Sequence, residues 1–283
     1  MKIAITGASG FIGKKLCDFF QRNNHTPVAL SRSMLASPEG LISTLEGTDI
    51  VINLAGASIS KRWTSKYKQE IMDSRVLTTR RLVTALNQMA APPSLCISVS
   101  AVGIYPDSGV HGESSPMRGT GFLTHVCESW EQEARMLKPG IRLVITRFGV
   151  VLGKEGGAAP LMLAPFRFFV GSIIGNGRQG LPWIHIDDLV NAMQWLIDHK
   201  QVTGVVNFVS PQLTNNEQFS KTAAKVMHRP CWFRIPAFVF KIMLGEGHTL
   251  VTSGQQVVSD VLFHSGFKFR YPKLEDAIRS IIS

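Results

Sequence analysis

Gly7-Ala8-Ser9-Gly10-Phe11-Ile12-Gly13 spells a G-x-x-G-x-x-G turn, set between the apolar run Lys2-Ile3-Ala4-Ile5 and a stretch with helical spacing at Ile12, Leu16, Phe19 and Phe20. A strand, a glycine turn and a helix in that order are what a dinucleotide pyrophosphate needs. Gly7 can take the tight exit from the strand, Gly10 lets a diphosphate approach without a Cβ in the way, and Gly13 lets the helix press against the sheet. The free N–H groups and positive end of the helix then face the anion.

Downstream, the same alternation continues. Val28-Ala29-Leu30 reads as a second strand ending in Ser31-Arg32-Ser33. No acid stands there to take a free ribose 2′-OH, and Arg32 favours a 2′-phosphate, hence NADP(H) over NAD. Little sequence separates Ser33 from the next strand, 49–54, so any strand between them is expected to be reduced or lost. Helices are expected over 65–90 and 123–137, and strands over 95–99, 142–147 and 205–209. Thr214 with Glu217 reads as a capping box for a helix running to Met227. The fold class is therefore α/β, a doubly wound parallel sheet. From Gly156 prolines and glycines thicken, which suggests a dinucleotide domain over 1–155, with parts of 183–210 returning to it, and a smaller C-terminal α/β substrate lobe over 156–283.

Composition narrows the function classes. At 283 residues with 45% hydrophobic content, a sizeable core is available. No uninterrupted run reaches the roughly 18 apolar residues of a membrane span, and 158–175, broken by Arg167 and two prolines, reads as buried or cleft-lining. Neither a leader peptide nor a membrane partner is expected, and a cytoplasmic location is. Cys17, Cys96, Cys127 and Cys231 are scattered, without C-x-x-C, as reduced thiols would be, and no metal site is expected. The net charge is +10, and Lys61, Arg62, Lys66, Lys68, Arg75, Arg80 and Arg81 oppose only Glu70 and Asp73 over 60–82. Without a DNA-reading helix pair, finger or stacking module, such a stripe reads as a solvated helix face or as a surround for an anionic cofactor or substrate, rather than as a nucleic-acid site.

These residues resemble the extended short-chain dehydrogenases, in the NAD(P)-dependent epimerase/dehydratase branch. Thr6 to Gly13 looks like its T-G-x-x-G-x-x-G, Asn53 to Gly56 like its N-x-A-G, and Trp183 to Asp188 like its hydrophobic-His-x-Asp-Asp. Within the branch the chain is similar to the epimerase family proteins in Lys61-Arg62-Trp63, Asp73-Ser74-Arg75, Gly149 to Gly153 and Asn207 to Pro211. Gly245-Glu246 and Gly266 to Pro272 match that subgroup's C-terminal domain of unknown function. The resemblance implies a Rossmann domain whose NADP(H) contacts come from Gly7, Ser9, Gly10, Phe11, Ile12, Gly13, Ser31, Arg32, Leu54, Ala55, Gly56, Glu70, Arg75, Ser98 and Val151. One departure stands out. The superfamily's Y-x-x-x-K, in which tyrosine passes a proton and lysine lowers its pKa, falls on Leu123 and Cys127.

Two functions follow as expectations. In the first, an oxidoreductase or epimerase moves hydride between NADP(H) and a small or nucleotide-linked carbonyl or alcohol. Ser100 would bind the reacting oxygen, Tyr105 or His185 would move the proton, and Arg147 or Arg178 would hold an anionic substrate. In the second, the chain is a non-enzymatic, NADP(H)-responsive regulator. The oligomeric state stays open, a homodimer among the options.

Overall fold

The computed structural model describes residues 1–283. β1 (Lys2–Thr6) runs into the glycine turn, α1 (Phe11–Arg22) returns along the sheet, and β2 (Thr26–Leu30) lies parallel to β1, with Lys2 opposite Thr26. After α2 (Pro38–Leu45), whose N–H of Gly40 is capped by the Ser37 hydroxyl, β3 (Ile50–Asn53) pairs with the other side of β1. No strand forms between them, as the short spacing predicts. α3 (Ser65–Gln88) leads to β4 (Leu95–Ala101), and after the two-residue β5 (Val110–His111), α4 (Phe122–Ala134) leads to β6 (Arg142–Phe148). The main sheet is closed by β10 (Gly204–Phe208), giving the all-parallel order β2-β1-β3-β4-β6-β10. The direction of winding reverses between β1 and β3, and in such sheets the crevice beyond the strand ends at that point receives the ligand.

Both faces of the sheet are covered, so its central strands are apolar throughout. Ile3, Ile5, Ile52 and Ile97 point toward Leu16 and Phe20 of α1 and toward α6 (Ile186–Asp198). The alternate residues Ala4, Val51 and Cys96 meet Leu41, Leu45, Leu82 and Leu86 from α2 and α3.

The smaller lobe has its own core, in which Trp183 is wholly buried among Leu163, Phe166, Phe219 and Ile278. Around it lie β7 (Val150–Leu152) paired with β9 (Trp183–His185), α5 (Ala159–Arg167), β8 (Ser172–Ile174), α7 (Asn216–Met227), β11 (Phe233–Ile235) paired with β8, and α8 (Ala237–Leu244). The chain finishes with α9 (Thr249–Thr252), β12 (Gln256–Val257) paired with β5, α10 (Asp260–His264) and α11 (Leu274–Ile282).

Two readings need correction. The capping box of α7 is Asn215 with Gln218, one residue later than expected. The Thr214 hydroxyl instead accepts the Trp183 indole N–H. The 158–175 segment lines the cleft only in part, since Phe168, Phe169 and Val170 turn outward into solvent. No helix is long and apolar enough to cross a membrane.

The C-terminal segment is fastened to the larger domain through Asp188, fully buried at the start of α6, which accepts the backbone N–H groups of Arg270 (2.6 Å) and Tyr271 (2.9 Å). Burial raises this carboxyl above its ordinary value while the two N–H bonds pull it down. Asp188→Ala leaves both donors without a partner, and we expect the unfolding free energy in urea to fall by about 2–3 kcal/mol.

Candidate functional site

A cleft of about 2480 Å³ opens at the carboxyl edge of the main sheet. Its floor is the glycine turn, where a Cβ on Gly13 would overlap the Gly7 carbonyl and lie 2.6 Å from Ala8 Cα, and one on Gly7 would meet the Leu54 carbonyl at 3.0 Å. Gly7 also has φ +67°, a backbone region that favours glycine. Gly10, at the N-cap of α1, makes no side-chain cap, and the first turn holds no acid. Its N–H groups are thus free for an anion, the condition for a phosphate site at a helix start.

The β3 exit is held beside this turn by polar groups that sequence reading missed. Thr6 Oγ1 donates to Asn53 Oδ1 and accepts the N–H groups of Leu54 (2.9 Å) and Ala55 (3.0 Å). Asn53 Nδ2 in turn donates to Thr79 Oγ1, which also accepts Trp130 Nε1–H. The signal was available in α3: Thr79 sits with Leu82, Val83 and Leu86 on the apolar stripe, and a buried hydroxyl requires a partner. Arg75 closes the same corner, its guanidinium donating to the carbonyls of Ile71 and Ala57 and lying 5.3 Å from the Trp130 ring. A Cβ on Gly56 would stand 2.9 Å from its Cζ.

Most of the expected cofactor residues share this cleft: Gly7, Ser9, Gly10, Phe11, Ile12, Gly13, Ser31, Arg32, Leu54, Ala55, Gly56, Glu70, Arg75 and Val151 all line it. Ser98 does not. It lies two residues before Ser100 on β4, one pleat deeper, and is buried. The seven cations of α3 and its approach are dispersed: Lys66, Arg75 and Arg81 face the cleft, while Lys68 pairs with Glu246 and Arg80 with Glu133.

The expected catalytic and substrate residues are placed differently. Arg147 is 1% exposed and grips Glu131 through Nε (2.7 Å) and Nη2 (2.8 Å), so it is not open to a substrate anion. Burial would lift the Glu131 carboxyl, but the bonds and charge of Arg147, with Ser100 and Arg135, hold it below the ordinary carboxylate value. Ser100 lines the cleft but donates to Glu131 Oε1 (2.9 Å), leaving only acceptor capacity for a ligand. Tyr105 is among the cleft-lining residues but is 1% exposed, with its ring stacked on that of His111. Its hydroxyl accepts from Arg147 Nη1 and donates to Asn207 Oδ1, and burial outweighs the arginine's charge to raise its pKa.

His185 lies outside the cleft and caps α6, its Nδ1 accepting Asp187 N–H while Nε2 meets the Ser280 hydroxyl. Burial pulls its pKa down to about 4 against the opposing charge of Asp187, so the ring is neutral. Arg178 is exposed and does not itself line the cleft, although Gln179 beside it does. Leu123 and Cys127 do line the cleft, and burial pushes the Cys127 thiol up to about 11. The lobe contributes Leu161, Met162, Leu181, Leu244 and Leu250, with Gln179, Asn216 and Gln255, and no charged side chain.

The profile of the NAD dependent epimerase/dehydratase family matches residues 3–208, nearly the whole sheet. The chain belongs to this family. A domain of unknown function, DUF1731, matches residues 235–281. The epimerase family protein YfhF of Bacillus subtilis is 37% identical over 302 residues, covering all of this chain and 98% of its own. The crystal structure of human epimerase family protein SDR39U1 (isoform 2) with NADPH superposes with a TM-score of 0.92 at 31% identity, over 99% of both chains. UDP-glucuronic acid 4-epimerase from Bacillus cereus, in complex with NAD, shares the fold at TM-score 0.78 and 18% identity. Family and fold thus agree with the resemblance read from the motifs. Against that family background the cleft of this chain combines a glycine turn free of side chains with a corner in which the Tyr105 hydroxyl and Ser100 are committed to Arg147, Asn207 and Glu131.

Proposed function

We propose that this chain binds NADP(H) across the carboxyl edge of its sheet and that the remaining cleft takes a small, uncharged, largely apolar carbonyl or alcohol. The observation that carries this reading is the uncapped first turn of α1 above a turn in which Gly7 and Gly13 admit no side chain. Ser31 and Arg32 would hold the 2′-phosphate, and Leu54, Ala55 and Gly56 would flank the dinucleotide where the Thr6 hydroxyl fixes the β3 exit. When bound, NADPH supplies a hydride. On the protein side, Leu123 and Met162 exclude water, and Ser100 can accept a hydrogen bond from an alcohol but has no proton of its own to offer a carbonyl. Proton exchange would therefore run through solvent at the cleft mouth. An uncharged ligand is favoured because the lobe's lining carries no charge.

The displaced acid–base groups also favour a second reading, a regulator that senses the redox state of NADP(H). Turnover of NADPH with uncharged ketones or aldehydes supports the enzyme, and tight binding without turnover supports the regulator. Both readings rest on cofactor choice, which separate titrations of NADPH and NADH test. We expect NADPH to bind more tightly, and Arg32→Asp to weaken NADPH about tenfold, or about 1.4 kcal/mol, while leaving NADH unchanged. Equal affinity for the two, or no effect of the charge reversal, overturns the assignment.

A further inference from the structure

Half of the chain's exposed large apolar side chains fall on two short segments, 161–175 and 228–244, among them Phe168, Phe169, Trp232, Phe238 and Ile242. These segments form one face. β8 and β11 pair in parallel, Gly175 N–H donates to the Ile235 carbonyl at 2.8 Å, and the Arg229 guanidinium lies 4.4 Å from the Phe169 ring. α8, Ala-Phe-Val-Phe-Lys-Ile-Met-Leu, follows directly and buries none of its residues. Trp232 is 82% and Phe168 76% exposed, and it is their clustering with the other apolar side chains of these segments that sets the face apart from scattered surface hydrophobics.

The charge on this face is of one sign. The two segments contain Arg167, Arg229, Arg234 and Lys241 and no aspartate or glutamate. Arg234 is paired with Glu217 of α7, whereas Arg167, Arg229 and Lys241 have no carboxylate partner. Aromatic and aliphatic side chains with a cationic surround are the chemistry of an interfacial membrane contact, in which the rings enter the headgroup boundary and Lys and Arg meet anionic lipid. A second copy of this chain on the same face would set these cations against one another. The face also borders the cleft, because Leu161 and Leu244 line its mouth.

We propose that this face docks the protein on an anionic bilayer surface, with the cleft opening at the lipid boundary. It departs from the sequence reading that no membrane partner is involved, without requiring a spanning helix. The inference does not depend on NADP(H), and its test contains none.

Full-length protein is floated with vesicles of phosphatidylcholine alone or with about 30 mol% phosphatidylglycerol, whose negative surface attracts Lys and Arg. We expect at least tenfold stronger partition into the anionic vesicles. Trp232→Ser with Phe238→Ser, and separately Arg167→Glu with Lys241→Glu, should each reduce it about tenfold while the melting temperature is kept, since all four side chains are exposed. Arg22→Glu with Lys200→Glu, the same charge change elsewhere, should leave it within twofold. No partition, equal binding to both vesicles, or equal loss in the control pair overturns the proposal. A concentration-dependent dimer abolished by Trp232→Ser with Phe238→Ser also overturns it and assigns the face to a second copy.

Discussion

Arg147→Met is expected to lower the unfolding free energy by about 4 kcal/mol, the largest loss of stability from any single side chain described above. The reason lies in what remains. Glu131, 4% exposed, would keep Ser100 and Arg135 but lose both bonds from the guanidinium that neutralises it. Replacing both partners, as in Arg147→Met with Glu131→Leu, should recover most of the loss, because no uncompensated charge is then left inside.

The pH dependence distinguishes this account from simple loss of packing. In the wild type Glu131 titrates below its ordinary value, so its contribution is complete above the unfolded carboxylate pKa of about 4.3 and is lost as pH falls through the folded value. In Arg147→Met burial becomes the dominant influence and raises the folded pKa, so the variant should gain relative stability as pH drops from neutrality. Urea midpoints at pH 8, 6 and 4 read the sign directly. A variant that parallels the wild type at all three would remove the buried ion pair from this argument.

Gly13→Ala is expected to raise the NADPH dissociation constant about thirtyfold, equivalent to about 2 kcal/mol. The added methyl meets the Gly7 carbonyl and Ala8 Cα, which are backbone and cannot rotate aside, so α1 must lift from the turn and carry its N–H groups away from the anion. Gly47→Ala is the contrasting case. Gly47 has φ +65° but open space around its Cβ, so it should lose stability through backbone strain while its NADPH affinity stays within twofold. Calorimetric titration of both variants separates damage to the site from damage to the fold.

The sheet and the glycine turn were legible because each depends on local order: apolar runs of strand length, helical spacing after Gly13, and a missing strand forced by the few residues between Ser31 and Ile50. The corner around Arg147 and Glu131 was not. An arginine at the end of a strand looks the same in sequence whether it meets a ligand or a buried glutamate, and Glu131 reaches Arg147 only once α4 lies against β6. A buried acid beside Cys127, Trp130 and Ala134 on one helix face was the sign that a cation must be near. His185 was likewise ambiguous in sequence, since the Asp187 N–H to which its Nδ1 is committed is visible only in the folded cap of α6. At α7 two overlapping cap patterns competed, and tertiary contact with Trp183 decided between them.

Asp188 shares the work of tying the C-terminal residues to the dinucleotide half with Glu113, which accepts the N–H groups of Asn207 and Asp260 and the Ser259 hydroxyl. Main-chain groups are thus held on both sides of that seam, and any opening along it would have to break these bonds.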